Sequence, residues 1–162
     1  MRINARKTSL DGITFDSLSE SKYYNLLLKR LQEGAIKDFS LQPHFVLMTD
    51  FIYQGEEIQG AGYTADFKII HNDDSEEIIE IKGYATDLYL YRVKLFKYLY
   101  PGIKLTELTE YPKNSGQFVL LKDYKKQKAI EKRAKTIAKK KVEQVKKRTV
   151  KRIKSEGIQR RL

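Results

Sequence analysis

The sequence of 162 residues contains no cysteine, and this absence excludes several classes of protein. Without cysteine there is no disulfide scaffold, no Cys-ligated zinc site, no iron–sulfur cluster and no thiol nucleophile. The absence is also typical of a reducing compartment. Long apolar runs are missing too, since no stretch approaches the 18 consecutive apolar residues of a membrane-spanning helix. Residues 1–10 hold three basic side chains and no apolar run, so we expect no secretory signal there.

Basic side chains are abundant but unevenly distributed. The whole chain has a net charge of +11. Residues 125–162 carry +14, from 17 basic and 3 acidic side chains, whereas residues 1–124 carry −3. This segregation predicts a polyanionic partner, with nucleic acid favoured over an anionic membrane surface.

Residues 1–121 have the length and apolar content of one folded domain. A first helix begins after Ser17 as N-cap, with Glu20 completing a capping box. Its apolar stripe recurs at helical spacing and ends before Gly34; the stripe consists of Tyr24, Leu27, Leu28 and Leu31.

Strand formers follow this helix. We predict strands within 44–53, over 61–70 and over 76–82, and the polar loop 71–75 joins the last two into a hairpin. A second helix begins after Thr86 or Asp87 and stops before Pro101, with one apolar face; that face consists of Leu88, Tyr91, Leu95 and Leu99. Further strands are predicted around 103–107 and 118–121. The order predicts an α/β fold around one mixed sheet.

Residues 122–155 contain neither glycine nor proline and are rich in helix formers. A continuous helix of this length would reach about 50 Å at 1.5 Å per residue. Its apolar stripe is narrow, so we expect it to fray in isolation and to be ordered by binding. We therefore divide the chain into a core domain, 1–121, and a basic helical extension, 122–162.

Three charged residues of the predicted hairpin are candidate catalytic residues. Side chains alternate along a strand, so Asp66 lies on one face of its strand, opposite the face of Phe67 and Ile69. Glu80 and Lys82 likewise share a face of the next strand. We expect both carboxylates to be exposed and to repel each other unless a cation lies between them. Mg²⁺ suits such oxygen ligands, and a lysine beside it could orient water for phosphodiester hydrolysis.

A structural alternative accounts for the same residues. Acidic–x–Lys triplets occur four times in this charged chain, at positions 20, 66, 80 and 123. Taken by spacing alone, Glu80 and Lys82 fit a solvated sheet face with a cross-strand ion pair. The context favours a site. The apolar residues Ile79 and Ile81 alternate with Glu80 and Lys82 at the end of the strand, and Gly83 closes it.

These residues resemble the PD-(D/E)xK nuclease superfamily, whose core is a helix, three strands, a helix and a strand. Over residues 10–105 the sequence is similar to a family of small, mostly phage-encoded proteins inferred to be endonucleases of this superfamily. The matching pieces are Asp11-Gly12-Ile13, Phe15-Asp16-Ser17 with Glu20, Leu41-Gln42-Pro43 with Phe45, Tyr63-Thr64-Ala65-Asp66-Phe67, Glu80-Ile81-Lys82-Gly83, Thr86, Lys94, Leu95-Phe96 and Tyr100-Pro101.

The resemblance implies a restriction-endonuclease-like core and a role for each matching residue. Asp66, Glu80 and the carbonyl of Ile81 would bind Mg²⁺ or Mn²⁺, Lys82 would position the attacking water, and Glu20 would complete the acidic cluster. Ala65 stands where the superfamily's name expects proline. Glu20 keeps a second interpretation, because its position also satisfies a capping box.

The resemblance implies a phage-type DNA endonuclease, cytoplasmic in a bacterial host, acting on branched DNA, as Holliday junction resolvases do, or on nicked DNA. Phosphate contacts are expected from the second helix and from the tail, without base specificity. The candidate residues are Arg92, Lys94, Lys97, Lys139, Lys140, Lys141, Lys146, Lys147 and Arg148. A homodimer is left open. The rival interpretation is a non-catalytic nucleic-acid-binding protein that acts through the tail. A membrane-surface helix is disfavoured because the tail's stripe lacks Trp, Phe and Leu.

Overall fold

The structure is a computed structural model that describes residues 7–83 and 85–159, with side chains up to residue 149. The chain divides into two compact units, the first ending at Leu121 and the second beginning at Lys122. The first is a mixed α/β unit with a mixed sheet, and the second is a long helix, as the sequence predicted.

The described residues form eleven strands and three helices. In chain order they are β1 (Thr8–Leu10), β2 (Ile13–Phe15), α1 (Leu18–Gln32), β3 (Asp38–Leu41), β4 (His44–Met48), β5 (Phe51–Tyr53), β6 (Glu56–Ile58), β7 (Ala61–Thr64), β8 (Phe67–Ile70), β9 (Glu76–Ile81), α2 (Asp87–Leu99), β10 (Lys104–Glu110), β11 (Phe118–Leu120) and α3 (Leu121–Gln159). The sequence patterns did not predict β1, β2, β3 or β6, which are three or four residues long.

The main sheet has five strands in the order β11-β10-β9-β8-β3. Only β9 and β10 run parallel, and α2 is the crossover between them. The predicted hairpin is confirmed, since β8 and β9 pair antiparallel with Phe67 opposite Ile79. β9 is the central strand, and it has a buried residue at every position from Glu77 to Ile81.

Each face of the sheet packs against one helix. α1 covers a core that contains Tyr24 and Leu27 of the helix with Ile79 and Ile81 of β9. α2 covers a second core, in which Phe96 meets Ile78 of β9. Because β9 contributes to both cores, its side chains are buried on both faces.

The caps of both helices agree with the sequence. Ser17 is the N-cap of α1 and its hydroxyl accepts the Glu20 N–H, at 3.2 Å. Gly34 follows α1 with φ of +67°, a conformation that glycine adopts without a Cβ penalty. Thr86 is the N-cap of α2, and its hydroxyl accepts the Tyr89 N–H, at 3.2 Å.

The buried face of α2 differs from the sequence prediction. The helix buries Tyr89, Val93 and Phe96. The predicted stripe of Leu88, Tyr91, Leu95 and Leu99 is mostly exposed, and only Leu95 is half-buried. Apolar residues occur all round this helix, so periodicity does not identify the face that packs, and the large Phe96 ring occupies the core instead.

The predicted strand 61–70 is two strands that belong to different sheets. β7 pairs with β4 in a two-stranded sheet, and β8 pairs with β3 and β9 in the main sheet. The interruption, at Ala65 and Asp66, lies opposite Gln42 and Pro43. Pro43 has no N–H to donate and Gln42 has φ of +49°, so the ladder bends at this point.

The described residues of the second unit belong to helix α3, which begins at Leu121, one residue before the predicted segment, and continues through Gln159. Nearly all its described side chains beyond Leu121 are exposed. Within the residues that the structure describes, no helix is both long enough and apolar enough to cross a membrane.

Candidate active site

The bend between β7 and β8 positions Asp66. Because the ladder stops pairing at Phe67, the N–H of Ile81 on β9 is left without a partner on β8. The Asp66 carboxylate accepts this N–H at 2.6 Å. Asp66 is thereby held at the end of β9, on the N–H of the residue that follows Glu80. The sequence pattern predicted that these two residues lie close together, and in the structure this backbone contact brings them together.

Glu80 is buried, with a side chain only 2% exposed, which contradicts the expectation of an exposed carboxylate. One of its oxygens accepts the Tyr63 hydroxyl at 2.7 Å, and the other forms an ion pair with Lys82. α2 covers this face of β9. The alternation of charged and apolar residues along the strand does not reveal that a helix packs on the charged face. Burial and the Glu80 carboxylate raise the pKa of Tyr63, so its hydroxyl stays a donor.

Lys82 reaches from the end of β9 toward solvent, with a side chain 28% exposed. Its ammonium pairs with Glu80 and lies 4.7 Å from the centroid of the Tyr89 ring, a cation–π contact. Burial alone would lower the pKa of Lys82, but the carboxylates of Glu80, Asp66 and Glu20 raise it above the usual value. Lys82 is therefore a cation at neutral pH.

The positive charge near Asp66 only partly stabilises its carboxylate form. Burial raises the pKa of the Asp66 carboxyl well above its usual range, and the Glu80 carboxylate raises it further. The hydrogen bond from Ile81 and the charge of Lys82 act in the opposite direction but do not cancel these effects. With Asp66 and Glu80 both ionised, the one ammonium of Lys82 would leave a net negative charge at the end of β9. Such a charge favours a bound proton or cation.

Glu20 has a capping role at the start of α1. Its two carboxylate oxygens accept the Ser17 hydroxyl at 2.6 Å and the Asp16 N–H at 3.2 Å. Burial raises the pKa of Glu20 in spite of these two bonds. Its charge nevertheless acts on Asp66 and Lys82 and raises the pKa of each. Glu20 therefore caps the helix and adds to the negative field of the site.

A polar cleft of about 260 Å³ opens beside the buried ion pair. Its walls come from β7, the end of β9 and the first turns of α2. Its lining consists of Gly62, Tyr63, Thr64, Glu80, Lys82, Thr86, Leu88, Tyr89 and Arg92. Of the three predicted phosphate contacts on α2, Arg92 lines the cleft. Lys94 is exposed elsewhere on the helix, and Lys97 lies 3.4 Å from Glu107.

Gly62 shapes one wall of the cleft. A Cβ at this position would lie 2.3 Å from Cε1 of His44, so the close approach of the ring requires glycine or a moved imidazole. His44 is the first residue of β4, and its Nδ1 lies 2.9 Å from the Thr64 hydroxyl. The ring thus supports the wall behind the cleft.

Two tyrosines that hold the charged pair were not among the predicted site residues. Tyr63 bonds Glu80, and Tyr89 lies under Lys82 and donates its hydroxyl to Glu107 at 3.0 Å. Tyr63 lies three residues before Asp66, a position from which a strand residue could reach the neighbouring β9. Tyr89 lies on the first turn of the helix that follows Lys82, but only the packing of α2 brings it close.

The predicted tail residues all lie on exposed positions of α3. They are Lys139, Lys140, Lys141, Lys146, Lys147 and Arg148. Lys147 forms an i,i+4 ion pair with Glu143 at 2.9 Å, and such exposed pairs contribute little to stability. The tail thus presents its positive charge to solvent.

In the part of the chain that the structure describes, no group of three or more His, Asp or Glu side chains could hold a metal ion. The donors near the cleft are therefore the two carboxylates of Asp66 and Glu80. Both are oxygen donors, and burial beside Glu80 raises the pKa of Asp66, so a bound cation would favour its ionised form. A hard divalent cation that retains water ligands fits this donor set, because Mg²⁺ in proteins often uses only one or two carboxylates.

The chain belongs to the family described as "Protein of unknown function (DUF1064)", whose model matches residues 1–116. Comparisons with curated proteins and with solved structures found no match. The family match covers the bend at Asp66, the end of β9, α2 and β10, and it ends before β11.

Proposed function

We propose that the chain is a Mg²⁺-dependent DNA endonuclease of phage type. The observation that carries this proposal is Asp66 bound to the end of β9, beside the buried pair of Glu80 and Lys82 and a polar cleft. Two carboxylates can hold a metal ion that activates water and polarises a phosphate, and a lysine beside them can stabilise the charge that develops.

We also propose that the first unit is a restriction-endonuclease-like core. Around the main sheet, the elements follow the order α1, β3, β8, β9, α2, β10. This order supports the proposal, because it has the helix, three strands, helix and strand of the superfamily that the sequence resembles. β1, β2 and the β4–β7 segment would be additions to that core.

Mg²⁺ would be held by Asp66 and Glu80 and, when bound, would withdraw charge from the scissile phosphate. The chain's own residues do the rest. The Tyr63 hydroxyl orients Glu80, and the Ile81 N–H orients Asp66. Both carboxylates are therefore fixed before substrate arrives, which favours catalysis by pre-organisation.

Lys82 would act as a cation and not as a general base, since its raised pKa keeps it protonated at neutral pH. An ammonium beside the cleft stabilises the negative charge that develops on the phosphate during attack by water. Its N–H groups can also orient that water. Arg92 on the cleft wall would bind a neighbouring phosphate, and the +14 tail would hold the duplex without reading its sequence.

A second candidate function is nucleic-acid binding without catalysis. It is favoured by one observation, the direct ion pair of Lys82 with Glu80, which can be purely structural. The charge of the tail is common to both functions. Only cleavage therefore separates the two candidates.

The test is cleavage of supercoiled, linear, single-stranded, nicked and four-way-junction DNA with Mg²⁺, Mn²⁺ or EDTA. We expect metal-dependent cleavage, with a branched or nicked form preferred. Asp66→Asn should abolish it, and Lys82→Ala should reduce it by roughly 10²-fold.

Lys68→Ala is the matched control, because Lys68 is the lysine of the neighbouring Asp66-x-Lys68 triplet but pairs with Glu76 at 2.5 Å. It should cut at the wild-type rate. Cleavage by Asp66→Asn at the wild-type rate would reveal a contaminating nuclease or a wrong site. Intact DNA under all conditions, with binding retained, would favour the non-catalytic function.

A further inference from the structure

Two tyrosines of α2 face solvent instead of the core. Tyr91 is 61% exposed and Tyr98 is 79% exposed, while the opposite side of the helix buries Val93 and Phe96. A helix that packs on one face usually presents polar residues on the other. Aromatic rings at such positions form a surface that can bind a partner.

The spacing of these rings places them in one row. Tyr91 and Tyr98 are seven residues apart, so they lie on one side of the helix, about 10 Å apart along its axis. Lys94 lies between them, three residues after Tyr91 and four before Tyr98, and is exposed. We call these three residues the outer row of α2.

The outer row begins at the rim of the cleft. Leu88 and Arg92 line the cleft and, four residues apart, are neighbours on the helix surface. Leu88 is also a neighbour of Tyr91, which lies three residues after it. A chain that leaves the cleft past Leu88 can therefore follow α2 over Tyr91, Lys94 and Tyr98.

The charge of α2 identifies the occupant that fits. Its exposed ionic residues are one acidic side chain, Asp87, and three basic ones, Arg92, Lys94 and Lys97. A two-fold contact with a second copy would bring like charges together around each Lys94. An unpaired nucleic-acid strand offers the opposite combination, since its bases stack on aromatic rings and its phosphates attract cations. Duplex DNA does not, because its bases are already stacked inside the helix.

We propose that the outer row of α2 binds unpaired nucleotides that extend from the cleft, with bases stacked on Tyr91 and Tyr98 and a phosphate near Lys94. This proposal deepens the proposed nuclease function, on which it rests for direction, and it specifies DNA with an unpaired segment as the substrate class. Binding itself requires neither metal nor cleavage.

The experiment compares two single strands of equal length and charge, a fluorescent oligo(dT) and the same backbone with abasic sugars. The full-length protein is titrated in EDTA at matched salt, so that the tail contributes equally to both. Only oligo(dT) offers bases for stacking. We expect it to bind more tightly than the abasic strand.

The double variant Tyr91→Ala/Tyr98→Ala should lower the affinity for oligo(dT) by roughly 10-fold or more. Its affinity for the abasic strand and for duplex DNA should not change. Tyr91→Phe/Tyr98→Phe should keep the wild-type preference, because the rings remain. Tyr53→Ala is the matched control, since Tyr53 is 59% exposed on β5, which pairs with β6 in a separate two-stranded sheet.

The proposal is overturned if the double Ala variant binds oligo(dT) as the wild type does, or if Tyr53→Ala weakens it equally. It is also overturned if the double variant instead loses self-association in sedimentation, or loses binding to anionic lipid vesicles, with DNA affinity unchanged. Failure of the nuclease proposal would appear separately, as absent cleavage by a protein that still prefers oligo(dT) to the abasic strand.

Discussion

Lys82→Met should destabilise the fold, even though Lys82 lies at the mouth of a cleft. Its ammonium is the ionic partner of Glu80, whose side chain is 2% exposed. Removing one member of a buried ion pair typically costs 3–5 kcal/mol, because the other charge remains buried. The Lys82 side chain is 28% exposed and the Tyr63 hydroxyl still serves Glu80, so we expect the lower end, about 3 kcal/mol.

The double variant Glu80→Gln/Lys82→Met should recover most of this loss. A glutamine oxygen can still accept the Tyr63 hydroxyl, and no charge is then left buried. Replacing both partners of a buried pair is often close to neutral, so we expect stability within about 1 kcal/mol of wild type. Together with the two single variants, this closes a double-mutant cycle that isolates the interaction of the pair.

Measuring the same variants with added Mg²⁺ tests whether this pair belongs to the proposed metal site. If Asp66 and Glu80 bind Mg²⁺, the ion compensates the buried charge that Lys82→Met leaves unpaired. At roughly ten times the dissociation constant, binding to the folded state alone stabilises by about 1.4 kcal/mol. The Glu80→Gln/Lys82→Met variant has lost a ligand and should gain little.

Urea unfolding followed by circular dichroism, with Mg²⁺ or with NaCl of equal ionic strength, measures all of these free energies. Two results would refute the reasoning. If Lys82→Met unfolds at the wild-type urea midpoint, Glu80 does not depend on Lys82 for its charge balance. If Mg²⁺ stabilises the single and double variants equally, the ion binds elsewhere.

Three further predictions follow from the structure. Glu20→Gln should keep near-wild-type cleavage, because both carboxylate oxygens serve the cap of α1 at Ser17 and its neighbour; lost cleavage at unchanged melting temperature would instead assign Glu20 to the acidic site. Burial would raise the pKa of Glu110, but hydrogen bonds led by Lys22 lower it to about 2 from the usual 4.5, so its ionised form stabilises the fold above pH 4.5. Glu110→Gln should therefore cost up to about 3 kcal/mol at pH 7 and progressively less as the pH falls from 4.5 toward 2, checked by urea unfolding across that range; a constant cost would contradict this. A chain ending at Tyr124 should still fold, since among the described side chains no buried apolar residue lies beyond Leu121. Its slope of log affinity against log salt on duplex DNA should be shallower by roughly 4–5 if the tail neutralises about five phosphates. An unchanged slope would exclude the tail from binding.

Local features of the chain were determined by the sequence itself. Ser17 and Thr86 cap the two helices because a hydroxyl next to an apolar periodic run satisfies a free N–H at the helix start. The hairpin of β8 and β9 forms because strand formers flank a short polar loop. The absence of glycine and proline over residues 122–155 is enough to predict α3. Each of these depends on residues a few positions apart.

The tertiary structure alone decided the environment of the candidate site. The bend at Asp66 is imposed by Pro43, which lies between β3 and β4 and lacks the N–H that would have continued the ladder. Glu80 is buried because α2 covers β9, and α2 packs through Phe96 although its sequence offers apolar residues on every side. Burial and partner identity depend on which surfaces meet across long sequence separations, and no local period encodes that. The sequence therefore sufficed to predict which charged residues come together, whereas packing decided that Glu80 would be buried and that Tyr63 and Tyr89 would hold the ion pair.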